Sequence, residues 1–81
     1  MAMPEIVRLS QCRICIYPGD HLPPHFHVRG PGWTAAVQIG SLRVMKGGGP
    51  RSALEEAIRW AGCPSNSYRL SYEWRRLNER D

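Results

Sequence analysis

The stretch that decides the fold is residues 25–46, HFHVRGPGWTAAVQIGSLRVMK. It divides into three short runs, 25–29, 33–39 and 42–46, which are separated by Gly-Pro-Gly and by Gly-Ser. Short β-prone runs joined by tight turns are typical of antiparallel hairpins. We therefore predict three consecutive antiparallel strands from this stretch.

Two further strands are predicted on its N-terminal side, at 6–9 and 12–17. In the second of these, every other side chain is Cys or Ile, which is the period of a strand with one buried face. A turn signal at 18–20 and the pair Pro23-Pro24 then interrupt regular structure. The sheet is predicted to occupy about residues 6–46, with four or five strands.

Helical spacing replaces this alternation after the sheet. The first predicted helix covers about residues 50–61, with Pro50 at its first position, where a missing N–H costs nothing. The second covers about residues 65–79, with Ser65 or Asn66 as its capping residue. Apolar residues recur at helical spacing in both segments, namely Leu54, Ala57, Ile58 and Ala61 in the first and Leu70, Trp74 and Leu77 in the second.

These segments indicate one α+β domain over residues 1–81. A small antiparallel sheet of four to five strands is followed by two C-terminal helices, whose apolar stripes pack on one face of the sheet. A chain of 81 residues buries only about 60–65 % of its unfolded surface, so its core is small and a homodimer would add stability.

Charge and cysteine usage restrict the class of protein. The net charge is +4, and arginine supplies most of the positive charge, with Lys46 as the only lysine. No apolar run approaches the roughly 20 residues of a membrane span, and the N-terminus lacks the pattern of a secretory signal. Three cysteines is an odd count, which argues against an extracellular disulfide framework. We expect a reduced, cytoplasmic protein with no membrane partner.

The arginines are candidate contacts for nucleic acid or for an acidic partner protein. They are Arg13 and Arg29 on the predicted strands, and Arg69, Arg75 and Arg76 on the second helix. Acidic residues are interleaved with the helical arginines. That pattern favours a solvated helix face with salt bridges over a phosphate-binding surface.

The run DHLPPHFHV, residues 20–28, contains all three histidines of the chain. His25 and His27 lie two positions apart on a predicted strand, so their side chains project to the same side and can hold one divalent transition-metal ion. His21 or Asp20 would supply a third ligand from the preceding loop. Three protein ligands with one open position is the arrangement of catalytic zinc.

The alternation of the strand also fixes the face on which these histidines lie. Phe26 and Val28 are expected to face the helices, which places His25, His27 and Arg29 on the uncovered face. Polar side chains of the neighbouring strands are expected to join them there, namely Arg13, Tyr17, Thr34 and Gln38. The predicted result is a surface rich in imidazoles and hydrogen-bond donors.

Two other roles of the histidines stay open. Without a metal, His25 and His27 can act as general acid and base while Arg29 stabilises an anionic phosphoryl group. Alternatively, the histidines brace the Pro-Pro turn through hydrogen bonds to backbone groups, or belong to a surface for a partner. The residues alone do not decide whether the protein is an enzyme.

The order of these features resembles a known family. The DHLPPHFHV run is followed by a hairpin, by a Gly/Pro entry to a helix that ends in Trp60-Ala61, and by a closing helix with Trp74. This order resembles the small bacterial domain of unknown function 4160 over nearly the whole chain. The resemblance implies a small cytoplasmic bacterial protein that lies beside a second small family, as the components of toxin–antitoxin or regulatory modules do. It implies no reaction, ligand or catalytic residue.

Two functions stand as hypotheses. The first is a regulatory or binding module, such as a toxin–antitoxin component, that binds a partner protein and nucleic acid through the uncovered sheet face and the arginines. The second is a metal-dependent hydrolase of the nuclease type that uses His25 and His27 with His21 or Asp20. The residues favour the first, because spacing alone identifies neither a complete ligand set nor the hydrogen-bond partners that orient ligands.

Overall fold

The computed structural model describes residues 4–79, so residues 1–3 and 80–81 of the predicted domain lie outside it. The strands are β1 (Glu5–Arg8), β2 (Arg13–Cys15), β3 (His25–Gly30), β4 (Trp33–Gln38) and β5 (Val44–Gly47). The helices are α1 (Arg51–Gly62) and α2 (Pro64–Asn78). The predicted α+β class is confirmed, because a five-stranded antiparallel sheet is followed by two C-terminal helices.

The strands form one sheet in the order β1-β2-β3-β4-β5, and every neighbouring pair is antiparallel. Each strand therefore pairs with the next one along the chain, as hairpin connections require. Phe26 pairs with Val37, while Val28 pairs with Ile14 on one side and Ala35 on the other. Because directly opposed residues share a face, these pairs form one continuous apolar surface.

The core lies between that apolar surface and the helices. It joins residues of the sheet and its flanks to both helices, namely Cys12, Ile14, Ile16, Phe26, Val28, Val37, Ala57, Ala61, Leu70 and Trp74. The fully buried positions of α1 are Ala53, Ala57 and Ala61, one turn apart. Their small side chains let α1 lie close to the sheet, and larger partly buried residues on either side fill the remaining space.

The helix starts differ from the prediction. α1 begins at Arg51, with Pro50 as its N-cap. The predicted cap of α2 is wrong, because that helix already begins at Pro64, with Cys63 as N-cap and no capping hydrogen bond from a side chain. Asn66 lies in the first turn of α2, where its Nδ2 donates to the Trp60 carbonyl at 3.0 Å and ties α2 to the end of α1. Neither helix in residues 4–79 is long and apolar enough to cross a membrane.

Glu56 attaches α1 to the turn between β1 and β2. Its carboxylate accepts hydrogen bonds from the Ser10 hydroxyl at 2.6 Å, the Ser10 amide at 3.3 Å and the Gln11 amide at 3.2 Å. The bond from the Ser10 hydroxyl is the main reason why the pKa of Glu56 lies below its ordinary value, and it outweighs the opposing effect of desolvation. The carboxylate therefore joins two distant segments as long as it is ionised.

Gly47 ends β5 in a conformation that other residues rarely adopt. Its φ is +74°, and a Cβ at this position would lie 2.3 Å from the Thr34 carbonyl oxygen. The same oxygen accepts a hydrogen bond from the Gly48 amide at 3.1 Å. The last residue of the sheet thus needs glycine both for its φ and for the close approach of β4.

Candidate metal centre

Asp20, His25 and His27 come together where the loop before β3 meets the start of that strand. His25 Nε2 lies 3.0 Å from Asp20 Oδ2, and His27 Nε2 lies 2.9 Å from the same oxygen. The three potential ligand atoms all lie within 4.8 Å of one another. Two imidazole nitrogens and one carboxylate oxygen are a ligand set of divalent transition metals. We call these residues the Asp20 cluster.

The second ring nitrogen of His25 is held by the backbone. His25 Nδ1 lies 2.7 Å from the Pro23 carbonyl oxygen, which can only accept a hydrogen bond, so Nδ1 carries a proton. If the ring is neutral, Nε2 is then unprotonated, and its lone pair is directed at Asp20 Oδ2. Metal-bound histidines are oriented in the same way, because a carbonyl accepts the N–H that does not face the metal.

His25 is buried, which the sequence did not indicate. It is 4 % exposed, and its ring centroid lies 5.2 Å from that of Trp74 on α2. The expectation of an open position on the uncovered sheet face is therefore wrong for His25. The side chain of Trp74 on α2 reaches the start of β3, where His25 and the next residue, Phe26, are both buried. The side chains of His27 and Asp20 keep 22 % and 19 % of their exposure, and they are the accessible part of the cluster.

Asp20 is held in place by two further hydrogen bonds. Its amide donates to Asn78 Oδ1 at the end of α2, at 2.7 Å. Its Oδ1 accepts the His21 amide at 3.3 Å, which leaves Oδ2 for His25 and His27. Burial alone would raise the pKa of Asp20, but the hydrogen bond with His27 and the charges of His25 and His27 together keep that pKa below its ordinary value. The carboxylate is thus fixed as an anion between two imidazoles.

His21 lies outside the group that the structure brings together. Its side chain is 90 % exposed, and its Nδ1 is 3.8 Å from Asp20 Oδ1 rather than from the shared Oδ2. Of the two residues proposed as a third ligand, Asp20 is the one within the cluster. The sequence could not decide between them, because they are adjacent and the direction of each side chain depends on the path of the loop.

The register confirms that Arg13 and Thr34 lie on the same face as His27, because both pair with Arg29. Gln38 pairs with the buried His25 instead. The Tyr17 ring contacts that of His27, with centroids 4.4 Å apart and the planes tilted by 38°, and its hydroxyl accepts a hydrogen bond from Arg29 Nη1 at 3.2 Å. Arg29 is thereby connected to the edge of the cluster through Tyr17.

Arg13 lies opposite Arg29 on the same face and also faces Glu5 at 3.8 Å. The candidate arginines of α2 lie elsewhere, and Arg69 donates to the Ile6 carbonyl at 2.9 Å. Arg76 forms an ion pair with Glu73 at 2.7 Å, as expected for a solvated helix face. Arg75 lines a separate surface depression on α2. Arg69, Arg75 and Arg76 are therefore not part of the site that contains the histidines.

Sequence reasoning missed Asn78, Trp74 and the Pro23 carbonyl as parts of this site. A carbonyl carries no side-chain signal. Asn78 and Trp74 come from a helix that is distant in the sequence, and both fit a helical pattern without any role in a site. The hydrogen-bond partners that were missing from the sequence argument are thus supplied by the fold.

The fold and the site together define a small α+β protein with a cluster of one carboxylate and two histidines beside a five-stranded meander. The chain belongs to the family described as Domain of unknown function (DUF4160), whose model matches residues 12–75. The resemblance seen in the sequence is therefore confirmed. Comparisons with curated proteins and with solved structures give no match.

Proposed function

We propose that this protein is a metal-dependent hydrolase that holds one divalent transition-metal ion at Asp20, His25 and His27. Three protein ligands leave open coordination positions for water and substrate, as in catalytic zinc sites. A metal ion in such a site lowers the pKa of bound water to about 7 and so provides hydroxide as a nucleophile near neutral pH. The partial exposure of His27 and Asp20 gives a substrate access to these positions.

One observation carries this proposal. His25 Nδ1 is committed to the Pro23 carbonyl, while His25 Nε2 points at a carboxylate oxygen 3.0 Å away. With a neutral ring, two lone pairs would face each other in a buried position, which is unfavourable. A cation must therefore lie at or between these atoms, and it is either a proton on His25 or a metal ion. The second imidazole on the same oxygen supplies the remaining ligand for the metal ion.

The test is metal content. Tag-free protein purified without chelator is loaded with zinc, manganese or nickel, dialysed, and examined by elemental analysis. We expect about one equivalent of metal in the wild type and none in the His25→Ala/His27→Ala double variant. His21→Ala is the matched control, since His21 is a neighbouring histidine with an exposed ring, and it should retain the metal.

A well-folded wild type that retains no metal after loading would overturn the proposal. Equal loss of metal in His21→Ala would place the ion elsewhere. If the stoichiometry is as expected, phosphodiester, phosphomonoester and carboxylic ester substrates are then compared in the presence and absence of the metal. Hydrolysis that survives in the double variant would belong to another site.

The exposed edge of the sheet favours a second candidate, the regulatory or binding module of the toxin–antitoxin type. Within residues 4–79, β5 pairs only with β4, so its other edge is open. Val44 and Met45 on this strand are 41 % and 40 % exposed. An open edge strand with apolar side chains is a template for pairing with another chain, either a partner protein or a second copy.

Edge pairing can be tested directly. Val44→Glu and Met45→Glu should abolish a homodimer in light scattering, or abolish co-purification of a partner from the native host. Leu22→Glu is a suitable control, because Leu22 is also exposed, at 68 %, but lies in the loop before β3. Nucleic-acid binding through Arg13 and Arg29 would be recognised by a steep dependence on salt concentration.

A further inference from the structure

A cleft beside the Asp20 cluster is lined on opposite sides by His27 and by the only lysine of the chain. The cleft has a volume of about 340 Å³ and is lined by His27, Thr34, Ala35, Ala36, Lys46 and Gly47. No carboxylate is among these residues. The cleft meets the proposed metal site at His27, so a molecule that occupies it lies beside the open coordination positions.

The register of the sheet explains why this cleft exists. Cys15 pairs with His27, His27 with Ala36, and Ala36 with Lys46, so these four residues form one row across β2 to β5. Residues that pair directly share a face, which puts the imidazole and the ammonium group on the same side of the sheet. Neighbouring strands are about 4.8 Å apart, so His27 and Lys46 are separated by roughly 10 Å between their Cα atoms.

Ala36 leaves the space between them empty. Its side chain is a single methyl group in a row whose other members next to it are the longer His27 and Lys46. A larger residue on β4 would fill the gap that the cleft occupies. Gly47 keeps β5 close to β4 at the end of the same cleft, because its φ of +74° and the lack of a Cβ allow it to approach the Thr34 carbonyl.

Lys46 carries a charge that the protein itself does not neutralise. It is exposed, and within residues 4–79 no ion-pair partner lies against its ammonium group. The adjacent row of the same face contributes Arg13 and Arg29, opposite each other on β2 and β3. Glu5 faces Arg13 and Asp20 contacts His27, so the positive charge that lines the cleft itself is that of Lys46. A compact anion fits this ammonium group, beside a bound divalent ion, better than a neutral ligand does.

From these observations we infer that the ligand of the site is a phosphoryl oxyanion, as found in a phosphate ester, seated in the cleft between His27 and Lys46. One oxygen of the phosphoryl group faces the metal site at His27, and another accepts a hydrogen bond from Lys46. Lysine is a common phosphate ligand as a point charge. This inference rests on the proposed function and names the substrate class of that site.

The test uses inorganic phosphate as the probe, titrated calorimetrically into metal-loaded protein. We expect Lys46→Ala to lower the affinity for phosphate by about tenfold or more, as loss of one charge-assisted hydrogen bond predicts, while metal affinity is unchanged. Lys46→Arg should restore most of the affinity. Arg59→Ala removes the same charge from the exposed side of α1 and should have no effect.

Ala36→Val provides a second, independent variant. Valine is favoured in strands, so the fold should tolerate it, while its extra methyl groups enter the cleft. Phosphate affinity is expected to fall without any loss of bound metal. Equal phosphate affinity in the wild type, Lys46→Ala and Ala36→Val would overturn the inference. Acetate that binds as tightly as phosphate would overturn the choice of a phosphoryl group.

The two proposals can fail separately. A wild type without stoichiometric metal but with phosphate binding that depends on Lys46 would overturn the metal-dependent hydrolase and support the anion site. A wild type with one equivalent of metal and with phosphate binding that is independent of Lys46 would support the metal site and overturn the anion site. Metal content and phosphate affinity are therefore measured on the same preparations.

Discussion

Asn78 is the residue through which the last turn of the chain's second helix reaches the site. Its Oδ1 accepts the Asp20 amide at 2.7 Å, while its Nδ2 donates to the Trp74 carbonyl at 3.3 Å. It contacts no ligand atom of the cluster, but it fixes the backbone from which Asp20 projects. Asn78 is therefore a positioning residue in the proposed site.

Replacing Asn78 should weaken metal binding without abolishing it. We expect Asn78→Ala to lower the affinity for zinc by roughly 10- to 100-fold, the usual effect of losing an outer hydrogen bond around a metal ligand. Competition with a chromogenic chelator measures this affinity. Asn66→Ala is the control, since Asn66 forms a comparable bond to the Trp60 carbonyl away from the cluster. An identical loss in both variants would show a general effect on stability instead.

Gly47 offers a second substitution with a matched neighbour. We expect Gly47→Ala to destabilise the fold by about 1–3 kcal/mol, because a Cβ there is strained by its positive φ and meets the Thr34 carbonyl. Gly48→Ala should have little effect, since a Cβ at that position meets nothing within 4 Å. Urea unfolding of the two variants gives the comparison, and equal midpoints would contradict the role assigned to Gly47.

The attachment of α1 to the β1–β2 turn depends on an ionised Glu56. The folded-state pKa of Glu56 is lowered, so its contribution is complete above the ordinary value of 4.5 and is lost as the pH falls through the lower folded value. Protonation removes the charge that the Ser10 and Gln11 donors face. Stability should therefore decline on the acidic side in a way that depends on this residue.

Glu56→Gln isolates that contribution. We expect the wild type to be more stable than the variant at neutral pH, and the difference to shrink as the pH falls below about 4.5. Thermal unfolding followed by circular dichroism over a pH series measures it. Glu55→Gln serves as the control, because the Glu55 carboxylate only pairs with Arg51 in solvent. A difference that stays constant with pH would refute the assignment.

Strands and helices were predictable where one physical signal decides them. Alternation on β2 and β3 and helical spacing in α1 and α2 identified the elements and the side of each that faces the core. The buried residues Cys15, His25 and Ala53 nevertheless lie outside the predicted stripes. β5 was placed too early, because the turn before it contains Leu42 with a φ of 61°, which side chains other than glycine seldom adopt. Leu42 packs against the core, and this contact favours a conformation that its sequence neighbours do not reveal.

The site was predictable only in its local part. Two histidines on one strand and a carboxylate in the preceding loop can be read from spacing. The burial of His25 and the anchoring of Asp20 depend on where α2 crosses the sheet, which no local pattern specifies. The sequence likewise identified Lys46 only as a positive charge. Its place in one row with His27 and Ala36 depends on the register between β4 and β5.

The protein as a whole should respond to metal binding, because a small core leaves its stability sensitive to one strong interaction. At a free zinc concentration of 100 times the dissociation constant, binding would stabilise the fold by about 2.7 kcal/mol. For a chain of this size, that corresponds to a rise in Tm of roughly 10–20 °C. Differential scanning fluorimetry with zinc and with a chelator measures the shift.

The controls for this shift come from the same set of variants. His25→Ala/His27→Ala should show no rise in Tm on addition of zinc, while His21→Ala should behave as the wild type does. A comparable rise in the double variant would mean that zinc binds at other residues, such as the exposed Cys63. An unchanged Tm in the wild type would contradict a site that forms only in the folded chain.

The fluorescence of Trp74 depends on the state of the Asp20 cluster. Its indole is 1 % exposed and lies 5.2 Å from the ring of His25, whereas Trp33 and Trp60 are both partly buried away from that contact. Charged imidazoles and paramagnetic ions beside an indole quench its emission. In a Trp33→Phe/Trp60→Phe background, the intrinsic fluorescence of this protein would therefore report protonation or metal occupancy of the cluster without any added dye.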